Sequence, residues 1–215
     1  MHLLVLSILV GYALGMFQTG YIMGRLHGID IREHGSKNAG MTNVNRTLGK
    51  WPALIVFVVD ILKAALAFVL LPALIFGAGW SFSEWGHVFY GERGFAMAAP
   101  LLSGFGAVLG HNFPFYLKFR GGKGIACTIG IILMFSWQIA LVAFGLGILL
   151  VAVFRYISLA SLAITFVWPI LLFAFAYDLA LVLIALCISL LAWFMHRENI
   201  ARLASRTERR FTLGK

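Results

Sequence analysis

The sequence predicts an all-α polytopic membrane protein with seven transmembrane helices, its N-terminus outside and its C-terminus cytoplasmic. Three observations lead there. The chain of 215 residues is 61% hydrophobic and only 12% charged, with mean hydropathy +0.94, more apolar surface than one soluble core can hide. Its apolar residues come in runs close to a bilayer crossing in length. Its cations fall between those runs and gather on one side, as the positive-inside rule requires. The formal charge of +9 therefore reads as topology plus anionic ligands. Nucleic acid is disfavoured, since no Arg-rich helix with interleaved polar residues is present.

Residues 3–23 form the first predicted helix. They lack the basic start of a signal peptide and run too long for its apolar core. Residues 25–50 follow as a polar cytoplasmic loop with Arg25, Arg32, Lys37, Arg46 and Lys50 against Asp30 and Glu33. Residues 52–76 make the second helix, with Pro52 tolerated in its first turn. Asp60 and Lys63 lie inside it at i, i+3, where ionisable groups are costly; they pair with each other or line the site.

Residues 77–94 hold Trp80, Trp85 and Tyr90 with Glu84, Glu92 and the single cation Arg93, and read as an outer loop. The third helix, 95–115, carries Ser103, Gly104, Gly106, Ala107 and Gly110, small residues that allow close helix approach. Residues 125–154 would make about 45 Å of helix, long for one span. A single helix there would put the whole basic C-terminus outside, so the run is split near Ser136, Trp137 and Gln138. Helices at 157–176 and 179–195 complete the set, turning at Tyr177 and Asp178. In this topology every Lys and Arg except Lys63 and Arg93 is cytoplasmic. Cys127 and Cys187 lie in apolar runs without CxxC spacing and read as core filler.

The polar chemistry falls in three cytoplasmic stretches of one membrane domain spanning residues 1–215: 35–46, 110–124 and 196–208. The first, GSKNAGMTNVNR, sets Ser36, Asn38, Thr42, Asn43 and Asn45 around Gly35 and Gly40, short side chains suited to wrapping oxygens. The second, GHNFPFYLKFRGGKG, puts Lys123 among Gly121, Gly122 and Gly124. There a backbone can approach a phosphate closely and a helix start can point N–H groups at it. The third has His196 and Asn199 on one face at a helix end, at the depth of His111 and Lys123. Arg202, Arg206, Arg209 and Arg210 read as a surface helix drawn to anionic lipid.

The carboxylates are few and unpaired, which disfavours a metal-dependent phosphotransferase. No GxSxG elbow is present, and GGKG departs from a phosphate-binding P-loop at Leu117 and Gly124. What remains is phosphate binding with electrostatic stabilisation as the main catalytic effect.

Taken together, Ser36-x-Asn38-x-Gly40-x-Thr42-Asn43-x-x-Arg46, Gly110-His111-x-x-Pro114 through Phe119-x-Gly121-Gly122-Lys123-Gly124, and His196-Arg197-x-Asn199-Ile200-x-Arg202-Leu203 with Glu208 resemble the signatures of the bacterial membrane glycerol-3-phosphate acyltransferases of the PlsY type. The resemblance covers essentially the whole chain. It implies transfer of a fatty acyl group from acyl phosphate to the 1-hydroxyl of glycerol 3-phosphate at the cytoplasmic face of the bacterial cell membrane, giving lysophosphatidic acid and phosphate. It also implies no cofactor or metal, and a possible visit from the soluble phosphate acyltransferase that makes acyl phosphate.

On the same resemblance Ser36, Arg46 and Lys123 hold phosphates and the glycine loop adds backbone donors. Asn38, Gly40, Thr42, Asn43 and Arg202 join the binding set, and His196 and Asn199 orient glycerol 3-phosphate. His196, His111 or a substrate phosphate oxygen takes the hydroxyl proton. The acyl chain lies in a groove open to lipid. Lys37, Met41 and Arg206 depart from the family's usual Gly, Ala and Gly. Tyr116 stands where an HxxxxD acyltransferase would need the Asp that follows His111. The rival readings are an organic-phosphate transporter, which lacks an internal repeat here, and a scaffold for anionic lipid.

Overall fold

The structure is a computed structural model that describes residues 2–76 and 97–212, without the side chains of 71–76. The outer loop expected at 77–94 and the first two residues of the helix expected from 95 lie outside the described residues. Among the described residues the regular elements are helical: α1 (His2–Gly15), α2 (Thr19–Leu26), α3 (Met41–Leu48), α4 (Lys50–Phe76), α5 (Ala98–Asn112), α6 (Ile125–Phe135), α7 (Trp137–Phe154), α8 (Ile157–Ala174), α9 (Leu179–Met195) and α10 (Arg197–Ala204). By length and apolar content His2–Leu26, Lys50–Leu70, α7 and α8 can each cross a bilayer, and α9 with α10, bent by 62°, forms a fifth candidate.

The expected split of 125–154 is present. Ser136 takes an extended conformation between α6 and α7, and its hydroxyl accepts from the Ile139 N–H at 3.4 Å as the cap of α7. The helix expected at 3–23 is instead broken at residues 16–18. Helical carbonyls freed there find side-chain donors: the Tyr116 hydroxyl donates to Met16 O and Lys63 Nζ to Phe17 O, both at 2.7 Å. Gln18, fully buried, donates through Nε2 to His111 O at 2.9 Å. In an apolar interior a helix opens only where such partners stand ready.

The polar stretch 25–50 also departs from a plain loop, because α3 forms within it. Ile31, Ala39 and Val44 bury against Ala53 and Val56 of α4 as a small second core, enough to stabilise a helix that its own sequence only weakly favours. The third helix ends at Asn112, short of 115, since Pro114 disfavours helical backbone before it. α5 lies directly on α1: Gly106 and Gly110 meet the backbone of Ile8 and Tyr12, and a Cβ at either would overlap carbonyl oxygen. The main core, with Trp168, Phe68 and Phe135 fully buried, joins α4 to α9.

The cationic C-terminus is likewise not one surface helix. α10 stops at Ala204, and Arg206 adopts φ +58°. Lys37 has φ +57°. Both stand where the resembled family carries glycine, and both occupy the left-handed region that glycine enters without a Cβ penalty.

Asp60 and Lys63 of α4 are buried and paired at 2.8 Å, and Lys63 Nζ reaches His111 Nδ1 at 2.9 Å. Removing one member leaves the other charge uncompensated. Lys63→Met should therefore lower stability by about 3–5 kcal/mol, seen as an earlier thermal transition of the purified protein in detergent. The double change Asp60→Asn with Lys63→Met should recover much of the loss.

Candidate functional site

The site begins with the loop between α5 and α6. The N–H groups of Gly121 and Gly122, expected to face a phosphate, instead donate to Asn112 O at 3.1 Å and His111 O at 3.0 Å. They fold the loop back onto the end of α5. A side chain at Gly122 would collide with the His111 imidazole. Gly124 then turns the chain at φ +76° into the first turn of α6, leaving Lys123 projecting from between two fixed points.

His111 itself is 3% exposed and lies beneath this loop. The Lys63 ammonium can only donate, so His111 Nδ1 at 2.9 Å is the acceptor and Nε2 carries the proton. His111 is thus a brace under the loop and does not line the cavity described below.

In the first motif Asn43 is buried and used internally. Its Nδ2 donates to Ile31 O and His34 O at 3.0 Å and to Asn38 O at 2.9 Å, and its Oδ1 accepts from Ser36 N–H at 2.7 Å. Asn43 shapes the loop that presents Ser36. Asn38 Oδ1 accepts from Gly40 N–H at 2.9 Å at the start of α3, and its Nδ2 reaches toward Gly121 O at 3.5 Å. Thr42 lies on α3 outside the cavity lining.

A cavity of about 230 Å³ opens where the first and third motifs meet, lined by Gly35, Ser36, Lys37, Arg46, Arg202, Glu208 and Arg209. Lys123 joins it through one relay: Lys123 Nζ donates to Asn199 Oδ1, and Asn199 Nδ2 donates to Glu208 Oε1 at 2.8 Å. Glu208 also accepts from Ser158 Oγ at 3.0 Å and Arg202 Nε at 2.7 Å. Burial raises the affinity of Glu208 for a proton, but the Arg202, Asn199 and Ser158 hydrogen bonds outweigh it and hold the carboxyl below its usual range.

Just beyond α9, His196 is 5% exposed with Nδ1 at 2.8 Å from Ala192 O. That contact requires the proton on Nδ1 and leaves a lone pair on Nε2. Burial, then the Lys123 charge, pulls its pKa down to about 4, so at neutral pH the ring is uncharged and Nε2 is open to accept a hydrogen bond.

Of the residues expected from the sequence, Ser36, Arg46 and Arg202 converge on the cavity, and Lys123, His196 and Asn199 adjoin it. Glu208 was legible as one of two carboxylates, with Glu198, among the cations of the third motif; its place as the hub was not. Nothing in the apolar run at 157 marks Ser158, and Arg209 is masked by its fellow arginines.

A family model described as "Glycerol-3-phosphate acyltransferase" matches residues 5–206. The glycerol-3-phosphate acyltransferase of Alkaliphilus metalliredigens is 40% identical over 207 residues, 96% of this chain and 95% of that protein. That of Parasynechococcus marenigrum is 38% identical over 95% of this chain and 88% of its own length. The crystal structure of PlsY (YgiH), an integral membrane glycerol 3-phosphate acyltransferase, in its glycerol 3-phosphate form superposes with a TM-score of 0.82 at 31% identity, covering 97% of this chain and 96% of that one. Its lysophosphatidic acid form gives 0.79 at 30% identity, over 98% and 96%.

Burial, then the Arg202 charge, lowers the Lys123 pKa to about 8. The folded state releases this proton below the ordinary value of about 10.4. Folding therefore gains stability as pH rises between those values, while the cation needed for an anion disappears above the lower one. The ratio kcat/KM for a phosphate-bearing substrate should fall as pH passes about 8. Lys123→Arg, with its guanidinium still charged, should remove that limb.

Proposed function

This chain belongs to the glycerol-3-phosphate acyltransferase family, and from that premise we propose that it transfers a fatty acyl group from acyl phosphate to the 1-hydroxyl of glycerol 3-phosphate, giving lysophosphatidic acid and inorganic phosphate. The observation that carries this reading is the convergence of Ser36, Arg46 and Arg202 on one cavity with Lys123 joined to it through Asn199 and Glu208. Such a set binds phosphate oxygens on two sides.

Acyl phosphate is a mixed anhydride, so the carbonyl carbon is already activated. The glycerol hydroxyl oxygen forms the new ester bond, the bond from the carbonyl carbon to the phosphate oxygen breaks, and the hydroxyl proton leaves on the released phosphate. Charge and atoms then balance with no acid or base left over. His196 accepts the hydroxyl hydrogen bond at Nε2 and aims the oxygen. With a pKa of about 4 it is too weak a base to keep the proton, which favours the phosphate as final acceptor. Fixing two anions side by side is worth several kcal/mol as effective molarity, and cations placed before the reaction begins stabilise the charge that develops on the leaving phosphate.

The same reading places seven spans in the bacterial cytoplasmic membrane, N-terminus outside, with the three motif stretches on the cytoplasmic face. The soluble phosphate acyltransferase that makes acyl phosphate would deliver the donor there. The acyl chain enters from the lipid side.

Purified protein in lipid, given palmitoyl phosphate and labelled glycerol 3-phosphate without added metal, should carry label into the organic phase as lysophosphatidic acid. Acyl-CoA should not replace the donor. Lys123→Ala should lower turnover by about 10²-fold or more with the thermal transition nearly unchanged. Label that stayed water-soluble and became trapped in vesicles would point to transport instead.

A further inference from the structure

The chain beyond α10 is tethered across the cavity. Glu208 is held by Ser158, Asn199 and Arg202. Three residues on, Phe211 N–H donates to Arg155 O at 2.6 Å, and the next carbonyl, Thr212 O, accepts from Asn45 Nδ2 at 3.1 Å. These anchors belong to α8 and the preceding turn, to α10, and to α3. A strand of chain fixed at 208, 211 and 212 has little freedom at 209, and there Arg209 lines the cavity opposite Ser36 and Arg46.

The charges in that cavity do not balance. Lys37, Arg46, Arg202 and Arg209 face a single carboxylate, Glu208, which Arg202 already engages at 2.7 Å. Among the described residues neither Arg46 nor Arg209 has an ion pair or side-chain hydrogen bond, and the Ser36 hydroxyl has no partner either. Burial and then the Arg209 charge lower the pKa of Arg46, so the two guanidinium groups repel each other across the opening. Like charges held together by tethers on three elements are relieved when a dianion comes between them.

We propose that Arg209, delivered by the tethered C-terminal segment, binds substrate phosphate together with Arg46 and Ser36. This rests on the acyltransferase reading above and adds a ligand to it from outside the motif residues expected to hold phosphate. The ligand chemistry is a phosphate monoester or acyl phosphate dianion, which both substrates carry.

The test is steady-state transfer with each substrate varied in turn, for the unaltered protein, Arg209→Gln, Arg209→Lys and Arg210→Gln. Arg210 makes the same change of charge one residue away without lining the cavity. Arg209→Gln should raise KM for one of the two phosphates about tenfold, the loss of one hydrogen bond to a charged group, with kcat changed much less. Arg209→Lys should restore part of it. A rise confined to glycerol 3-phosphate assigns the acceptor's phosphate to this pocket, and one confined to palmitoyl phosphate assigns the donor's.

Arg209 is exposed and unpaired among the described residues, so the variants should melt with the parent. An unchanged KM for both substrates would overturn the proposal, and so would an equal rise in Arg210→Gln, which would mean a general surface field. If the unaltered protein made no lysophosphatidic acid, the acyltransferase reading itself would fail. In that case inorganic phosphate titrated calorimetrically against unaltered protein and Arg209→Gln still decides whether Arg209 holds an anion: weaker binding in the variant supports it, and equal binding overturns it.

Discussion

One ammonium group in the apolar interior fixes the geometry of the rest. Lys63 Nζ donates to the Phe17 carbonyl, pairs with Asp60 and reaches His111 Nδ1. Asp60 in turn accepts from Thr19 Oγ1 at 3.2 Å. A lysine this far from water is strongly unfavourable alone, and here each of its three protons has an acceptor. The three acceptors lie on the α1–α2 break, on α4 and on α5, so satisfying the lysine also sets where those elements cross. The consequence runs upward. His111, placed by Lys63, holds the backbone of Gly122 and crowds its α-carbon, and the loop so held aims Lys123.

Above that brace the site is a chain of hydrogen bonds: Lys123 to Asn199, Asn199 to Glu208, and Arg202 to Glu208. Glu208 is the one carboxylate that lines the cavity among the described residues. It orders Asn199 and Arg202 while leaving Arg46, Arg209 and the Ser36 hydroxyl for a ligand. Catalysis in this account consists of placed charge. On the proposed reaction the donor brings its own leaving group, and the protein supplies cations and a lone pair on His196.

The parts legible in the sequence were those set by composition and topology. The positive-inside argument located the break at Ser136, and the three polar stretches do meet. The parts that were not legible depend on partners far away in the chain. Nothing near Gln18 announces that the helix opens there, because its donors come from Lys63 and Tyr116. α3 was hidden by its polar surface, since only Val44 and its neighbours reveal a buried side. His111 and Asn43 have the chemistry of ligands, yet burial commits both to bracing loops. Lys37 and Arg206 departed from the resembled pattern with no evident reason, and their positive φ values explain why glycine is usual there without explaining why this chain does otherwise.

The claim that placed charge suffices separates this account from one in which Ser36 or Lys123 first takes the acyl group. Intact mass spectrometry of the protein after exposure to palmitoyl phosphate, with glycerol 3-phosphate withheld and then supplied, decides between them. The account predicts an unchanged protein mass in the first phase, and lysophosphatidic acid only when the acceptor is added. A protein heavier by one palmitoyl group, which returns to its original mass as lysophosphatidic acid forms, would contradict it.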